Sequence, residues 1–302
     1  MDKLGFTFGN AAGTVKTAEQ METLLRSPVT EITIGSYTLE AREGNPTPNY
    51  WSDRQGSNSI SLNSLGLPNC GIRSIEESLP AMFEACKQAG KNLRVSVAGF
   101  SADEFLGLTR WALDHPFAEI ELNFGCPNVH GDGGQKPIFA FNVADMREVL
   151  SKLKNMPGTK KRLALKLSPY SDPILLASVA KMARDFADLL NSLVVCNTFP
   201  NAYAFGQNDK PVFGLYKWAG LGGKPMKHIA LGQVNQLAPP VTPIKVKGVG
   251  GIGSGTDLMD MLDAGASGVQ VATAFLEQGP RIFSDILQEF TDHQEMMKAN
   301  SV

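Results

Sequence analysis

The sequence predicts an α/β protein with a single domain, a closed (β/α)8 (TIM) barrel that has long loop insertions at its C-terminal face. Eight short apolar or alternating runs recur along the 302 residues, and helical periodicity follows most of them. Eight such units suit a closed barrel, which typically needs about 250 residues plus insertions. No linker-like or low-complexity segment divides residues 1–302. A doubly wound open sheet is the competing arrangement.

The predicted strands share a length of five or six residues and end at a turn. They are Phe6–Ala11, Glu31–Gly35, Leu93–Ala98, Glu119–Phe124, Leu163–Leu167, Leu193–Asn197, Ile244–Gly248 and Gly268–Ala272. Stretches such as "SADEFLGLTRWALD" and "NVADMREVLSKL" lie between them with a period near 3.6, as helices require.

Two segments fit no βα unit: Leu39–Gly71 and Phe199–Pro225, both rich in Gly, Pro and Asn. Each follows the end of a predicted strand, on the face where barrel active sites are built. Loops this long inside a compact domain are usually functional or disordered. Their aromatic residues and prolines favour ordered, functional loops.

Composition and charge exclude several classes of protein. The chain is 43% hydrophobic and 19% charged with a formal charge of −2, so it has no concentrated basic surface for nucleic acid or anionic membrane. No apolar run reaches the roughly 18 residues of a membrane span, and residues 1–10 lack a secretory h-region. We expect a cytoplasmic protein. The four cysteines form no C-x-x-C pair, so we expect free thiols and no metal site.

Polar side chains are predicted to point into the barrel near its C-terminal mouth. Alternation in "LALKLS" puts Lys166 on the inward face, and alternation in "IELNF" leaves Glu121 and Asn123 inward. Asn197 lies on the opposite face from Cys196. A buried lysine needs an anion or a dipole to receive it. A structural salt bridge from Lys166 to Glu121 is the alternative interpretation.

Glycine-rich turns indicate a phosphate group. "KGVGGIGSGTD" (Lys247–Asp257) leaves the seventh strand and enters a helix, and "AGLGGKP" (Ala219–Pro225) also opens a helix. Backbone N–H groups in such turns can close on phosphate, which barrels frequently hold between their last two loops. Together the turns favour a phosphorylated cofactor. A NAD-binding Rossmann site is disfavoured, because no G-x-G-x-x-G follows the first strand.

One thiol lies at an unusual place, between Gly125 and Pro127 in "FGCPNVHG", where the fourth strand ends. A structural cysteine normally lies inside an apolar element, and a metal-binding cysteine normally has a second one nearby. A metal pair of Cys126 with His130 lacks further ligands. Glycines at 131, 133 and 134 would let this loop close over a substrate.

The motifs taken together resemble the soluble, cysteine-base dihydroorotate dehydrogenase family, which are FMN-dependent (β/α)8 oxidoreductases of pyrimidine biosynthesis. The resemblance spans nearly the whole chain. The motifs that carry it are "NAAG" (10–13), "REGNPTP" (42–48), "NSLGLPN" (63–69), "ELNFGCPNV" (121–129), "ALKLSPY" (164–170), "CNT" (196–198), "GLGG" (220–223) and "GVGGIGSGTD" (248–257).

The resemblance implies that dihydroorotate is oxidised to orotate. Cys126 would be the catalytic base that takes the C5 proton, while a hydride passes from C6 to flavin N5. A thiol with an ordinary pKa of about 8.5 can serve as such a base if it is modestly tuned. Carboxamides supply the donors and acceptors that a pyrimidinedione ring needs. The implied substrate-binding residues are Asn63, Leu65, Gly66, Leu67, Asn123, Asn128, Asn197 and Thr198.

The resemblance also implies the cofactor, its contacts and the partners. Lys166 would lie against the pyrimidine end of FMN and stabilise negative charge on the reduced ring. The implied cofactor-binding residues are Ala11, Ala12, Gly13, Gly35, Ser36, Asn123, Lys166, Gly222, Gly223, Gly250, Gly251, Ala272 and Thr273. The electron acceptor would be fumarate or a partner subunit that carries an iron–sulfur cluster and FAD. Members of the family pair as homodimers.

Three positions depart from the family pattern. Gly35 stands where a lysine normally helps to hold flavin and substrate, Ala272 replaces a glycine, and the loop after Asn128 is longer than in the fumarate-linked class. A lysine introduced at position 35 is expected to tighten orotate binding if the substrate carboxylate lies there. The open alternatives are a flavin enzyme that acts on another dihydropyrimidine-like ring and a non-catalytic flavin-binding barrel.

Overall fold

A closed parallel barrel forms the centre of the protein, as the computed structural model shows for residues 4–53, 58–131, 134–206, 209–214 and 216–299. Its strand order is β1-β14-β13-β10-β9-β6-β5-β2, so the predicted barrel is confirmed and the open sheet is wrong. The strands are β1 Thr7–Asn10, β2 Glu31–Tyr37, β3 Tyr50–Asp53, β4 Ile60–Asn63, β5 Asn92–Val97, β6 Ile120–Asn123, β7 His130–Gly131, β8 Gly134–Gln135, β9 Leu163–Lys166, β10 Leu190–Val195, β11 Phe199–Ala202, β12 Ala219–Gly223, β13 Lys245–Val249 and β14 Gly268–Val271.

Helices surround the barrel and bury one apolar face each against it. In α5, for example, Met146, Val149 and Leu153 are fully buried, at the spacing a helix face requires. The helices are α1 Ala18–Leu25, α2 Gly71–Glu76, α3 Leu79–Gln88, α4 Ala102–Leu113, α5 Val143–Lys154, α6 Pro173–Asp185, α7 Lys227–Val241, α8 Gly255–Asp263, α9 Thr273–Gln278 and α10 Arg281–Ala299. Within the described ranges, none has both the length and the apolar character needed to cross a bilayer.

Side-chain caps fix where several of these helices begin. The hydroxyl of Ser101 accepts a hydrogen bond from the backbone N–H of Glu104, and Asp172 caps α6 in the same way through Ile174 and Leu175. Such caps satisfy N–H groups that have no partner inside the helix. The helix starts, and therefore the loops that lead into them from the barrel mouth, are held in place.

The two long loops meet over the barrel mouth and form one sheet, the cap sheet, with strand order β11-β12-β4-β3. Strand β4 from the first loop pairs antiparallel with β12 from the second, and Asn63 lies opposite Gly220. The expectation of ordered loops is met for their described parts, while residues 54–57, 207–208 and 215 lie outside the described residues. The cap sheet carries residues from both loops to one place.

Paired charges fill the interior of the barrel below its mouth. The Lys247 ammonium donates to Glu31 at 2.8 and 2.9 Å and to Glu119 at 3.0 Å, and Arg94 donates to Glu31 at 3.1 Å. Burial alone would raise the pKa of Glu119, but Arg94 and Lys247 hold that pKa well below its usual range. The Glu119 carboxylate is therefore ionised and matched by buried cations.

Candidate active site

Two adjoining cavities open at the C-terminal mouth of the barrel. The larger, which we call the mouth cleft, has about 790 Å³ of space up to and including its opening, and the smaller, which we call the glycine pocket, has about 520 Å³. Both are lined by Asn197, Thr198, Ala272 and Thr273, so they form one continuous site. Its position is the one at which barrel enzymes build their active sites.

Most of the predicted site residues lie on the walls of this site. The mouth cleft is lined by Ala12, Gly13, Ser36, Asn63, Leu65, Gly66, Leu67, Asn123, Cys126, Asn128 and Lys166, together with the four shared residues. The glycine pocket is lined by Gly222, Gly223, Gly250 and Gly251. Residues from nearly every predicted motif therefore meet in one place.

A hydrogen-bond network fixes the asparagines of the mouth cleft. Asn123 donates to the Ser36 hydroxyl at 2.9 Å, and its amide oxygen accepts from Asn197 at 3.1 Å. Asn128 donates to both the backbone oxygen (2.7 Å) and the side-chain oxygen (2.9 Å) of Asn63. Because their rotamers are set in advance, these carboxamides present fixed donors and acceptors to a ring in the cleft.

The Cys126 thiol lies in the loop after β6, partly exposed on the wall of the mouth cleft. Burial raises the pKa of this thiol above its ordinary value, while the backbone N–H of Asn128 and the cations of Lys166, Arg42 and Lys16 lower it. The sequence disfavours a metal pair of Cys126 with His130, and the His130 ring stacks on Tyr216 with 3.7 Å between centroids. Gly133 of the predicted closing loop lies outside the described residues.

Lys166 reaches the cleft from inside the barrel. Its Nζ lies 3.9 Å from the Glu121 carboxylate, so the ion pair considered as the alternative exists at a long distance. Both Glu121 oxygens are buried and accept no hydrogen bond from the residues that the structure describes. The Lys166 ammonium is therefore oriented by Glu121 but still lines the mouth cleft.

The glycine pocket has two features of a site shaped for a ligand. At Gly251, with φ of +73°, an added Cβ would come within 2.6 Å of the Lys227 backbone nitrogen, so a side chain there is excluded. Gln270 is 0% exposed, lines the pocket, and neither amide atom has a partner among the described residues. Unpartnered buried amides are rare, so this amide has a donor and an acceptor available to a bound group.

Two predicted cofactor residues do not line either cavity. Ala11 packs with Ala164, Val194 and Val249 at the top of the barrel. Gly35 is buried, with φ of +95°, and its backbone N–H donates to Val15 at 2.9 Å. An added Cβ there would meet the Ser96 carbonyl oxygen, so position 35 has no room for a lysine.

The site also contains residues that sequence reasoning did not single out. In the mouth cleft these are Thr14, Lys16, Tyr50, Ser61, Pro68, Pro127 and Leu276. In the glycine pocket they are Ser59, Cys196, Lys224, Met226, Val249, Ile252, Gln270 and Ala274. Some of them, such as Pro68, Pro127 and Cys196, lie inside a recognised motif, and Lys16 follows "NAAG" by three residues. Position inside or near a motif was the signal available for them.

Comparisons with known proteins agree with one another. The family model described as dihydroorotate dehydrogenase matches residues 3–293. A relative from Saccharomyces mikatae, dihydroorotate dehydrogenase (fumarate), is 34% identical over 311 residues, which covers 98% of this chain and 91% of that protein. Dihydroorotate dehydrogenase A (fumarate) from Lactococcus lactis subsp. lactis is 32% identical over 293 residues, covering 94% and 89%.

A known structure supports the fold. The crystal structure of DHODH in complex with ferulenol from Eimeria tenella has a TM-score of 0.78 and 18% sequence identity, and covers 96% of this chain and 82% of that one. At this identity the likeness concerns the fold alone, and it agrees with the closed barrel seen here.

Proposed function

The chain belongs to the dihydroorotate dehydrogenase family, and from that premise we propose that it oxidises (S)-dihydroorotate to orotate in de novo pyrimidine (UMP) biosynthesis. FMN is the cofactor of the proposed reaction, and fumarate is the electron acceptor. The observation that carries the proposal is the meeting of Cys126 with four asparagines in a cleft that continues into a glycine-lined pocket.

The residues present fit FMN. This molecule is long, with a flavin ring at one end and a phosphate at the other. The two joined cavities likewise form one extended site, with the mouth cleft at one end for the ring and the glycine pocket at the other for the phosphate. Gly222, Gly223, Gly250 and Gly251 would hold the phosphate through backbone N–H groups. The buried amide of Gln270, which has no partner among the described residues, has the donor and the acceptor that the polar groups of FMN require. Lys166 would face the ring from inside the barrel.

The asparagines would hold the substrate ring. A dihydropyrimidinedione presents carbonyl oxygens and N–H groups around its edge, which Asn63, Asn123, Asn128 and Asn197 can match from pre-set rotamers. A ring with a different pattern of donors would leave buried amides unpaired, which costs binding free energy. This arrangement supports a pyrimidine substrate over an unrelated dihydro-compound.

Cys126 would remove the C5 proton. When bound, FMN supplies a two-electron acceptor for the hydride that leaves C6. The chain itself binds the ring, orients it towards the thiol and excludes water with the cap sheet. The Cys126 Sγ receives the proton, and the nearby cations of Lys166, Arg42 and Lys16 favour the thiolate form that is needed.

Fumarate is the proposed acceptor of the electrons that leave the reduced flavin. The relatives above are named as fumarate-dependent enzymes, which favours fumarate over an iron–sulfur and FAD partner subunit.

We also propose a homodimer. Tyr203, Phe205 and Trp218 of the second long loop are 42%, 62% and 58% exposed, and such exposed aromatic residues are typical of a surface that a second subunit covers.

Anaerobic reduction of the purified holoprotein tests this function. Dihydroorotate should bleach the flavin absorbance, and fumarate alone should restore it without any added protein. Failure of dihydroorotate, with bleaching by another dihydropyrimidine, would point to a different ring as substrate. Flavin that no dihydropyrimidine reduces would contradict the enzymatic proposal altogether. Light scattering of the same sample checks the dimer.

A further inference from the structure

Lys16 is a cation of the mouth cleft to which the proposed function gives no contact with the substrate; there it acts only through its charge near Cys126. It lies on the loop between β1 and α1 and lines the cleft, as do residues 65–68 and Cys126. Its ammonium donates to the Pro68 carbonyl oxygen at 2.6 Å. Across the ranges that the structure describes, no Asp or Glu forms an ion pair with it. A partly buried ammonium with only a neutral partner remains free to receive an anion.

The backbone around Lys16 is held rigidly. The Tyr37 hydroxyl donates to the Lys16 carbonyl oxygen at 2.8 Å, and the Lys16 N–H donates to the Gln20 side chain at 2.7 Å. The preceding residue, Val15, is paired with Gly35 of β2. The backbone from which the Lys16 side chain extends is therefore fixed, and the hydrogen bond of the ammonium to Pro68 directs the side chain towards residues 65–68.

The neighbouring loop offers further donors to an anion. The carbonyl oxygens of Gly66 and Pro68 are occupied by Arg42 and Lys16. The backbone N–H groups of Leu65, Gly66 and Leu67 donate to no acceptor in the described part of the chain, and these residues line the cleft. One ammonium and several free N–H groups on the same wall make an anion subsite.

The other cations near the cleft are engaged differently. Lys166 lies 3.9 Å from the Glu121 carboxylate, so part of its charge is compensated. Arg42 lies with its guanidinium 4.9 Å from the centre of the Phe100 ring and does not line the mouth cleft. Position 35 has no space for any side chain, as shown above. Among the described residues, Lys16 is therefore the cleft cation with no acidic partner.

We propose that Lys16 determines specificity for a carboxylate-bearing substrate, and that its ammonium binds the C6 carboxylate of dihydroorotate. The inference rests on the proposed function. In dihydroorotate the carboxylate is attached to C6, next to the C5 from which Cys126 would take a proton. A cation that lines the same cleft as Cys126 can therefore meet the carboxylate of this substrate. Lys16 supplies the positive charge that Gly35 does not.

Binding of orotate to the oxidised holoenzyme, compared with binding of orotate methyl ester, tests the inference. The ester keeps the ring and loses the charge. Lys16→Met should weaken orotate binding about 10- to 100-fold, the range of a charge-assisted hydrogen bond, and change ester binding less than about twofold. Lys16→Arg should retain most of the orotate affinity. Lys87→Met, which removes an exposed lysine of α3, is the matched control and should bind both ligands like the wild type.

Two results would overturn the inference. One is Lys16→Met binding orotate as tightly as the wild type does. The other is an equal loss for orotate and for the ester, which indicates a general disturbance of the cleft. Failure of the proposed function is seen separately, as wild-type holoenzyme that neither binds orotate nor is bleached by dihydroorotate.

Discussion

At the scale of single residues, the surroundings of four chemically identical thiols give them different roles. Cys86 and Cys196 are buried, and burial raises the pKa of Cys86 to about 11 and that of Cys196 to about 12, so both thiols stay protonated at neutral pH. Cys70 is exposed at the start of α2, away from the cleft. Cys126 alone among the described cysteines is partly exposed on the mouth cleft with three cations in electrostatic reach.

Replacement of Cys126 tests its assignment as the base. Cys126→Ala should keep FMN bound and slow flavin reduction by dihydroorotate about 10²- to 10⁴-fold, because the proton acceptor is lost. In the wild type the rate should rise with pH and level off only above the ordinary thiol pKa of about 8.5, since burial raises the pKa of Cys126 and the thiolate is the active form. Stopped-flow absorbance measures both.

Cys70→Ala is the matched control for this experiment, because it removes an exposed thiol that does not line the cleft. Its reduction rate and pH profile should equal those of the wild type. A Cys126→Ala protein that is reduced at the normal rate would remove this thiol from the mechanism.

At the scale of elements, the barrel could be predicted from the periodicity of the hydrophobic residues and from the composition of the turns. The cap sheet could not be predicted in this way. Its strands Tyr50–Asp53 and Phe199–Ala202 lie in segments rich in Gly, Pro and Asn, and β4 pairs with β12 across more than 150 residues of sequence. Local patterns carry no information about such a distant partner. Lys16 was missed for a related reason, since one lysine in a loop has no periodicity.

The end of β2 corrects the expectation that a lysine could be restored at position 35. Gly35 has a φ of +95°, and an added Cβ would meet the Ser96 carbonyl oxygen and lie 2.9 Å from the Tyr37 nitrogen. Gly35→Ala should therefore destabilise the protein by about 2–4 kcal/mol, and Gly35→Lys by more. Urea denaturation measures the change.

Gly158→Ala provides the comparison, because its φ is +86° but the added Cβ would touch only a leucine side chain at an ordinary 3.6 Å. Its destabilisation should be smaller, near 1 kcal/mol. An equal decrease in the free energy of unfolding for the two variants would mean that the backbone conformation of Gly35, and not the crowding around it in β2, causes the destabilisation.

At the scale of the whole molecule, stability depends on the paired charges inside the barrel. Lys247 contacts both Glu31 and Glu119, so Lys247→Met leaves two buried carboxylates with fewer partners. The expected loss in the free energy of unfolding is about 3–5 kcal/mol. The loss is large because the freed charges have no water to solvate them.

The same pairs determine how the protein responds to acid. The pKa of Glu119 is held below its usual range, so its contribution to stability is present above the unfolded-state pKa of about 4.3 and is lost as pH falls below it. Lys247→Met should raise the pKa of Glu119 and move acid unfolding, followed by circular dichroism, to higher pH. Lys152→Met, which removes an exposed ion pair with Asp103, should leave the acid transition in place. An unchanged transition in Lys247→Met would refute this role.

The walls of the mouth cleft run from Ala12 to Leu276, and its roof is the β4–β12 pairing of two loops far apart in sequence. No fragment from either half of the chain can therefore form the site. During synthesis on the ribosome, the nascent chain gains a competent nucleotide pocket only after about nine-tenths of its length has been translated. Products that end before Leu276 lack part of the cleft and should therefore emerge without the yellow cofactor.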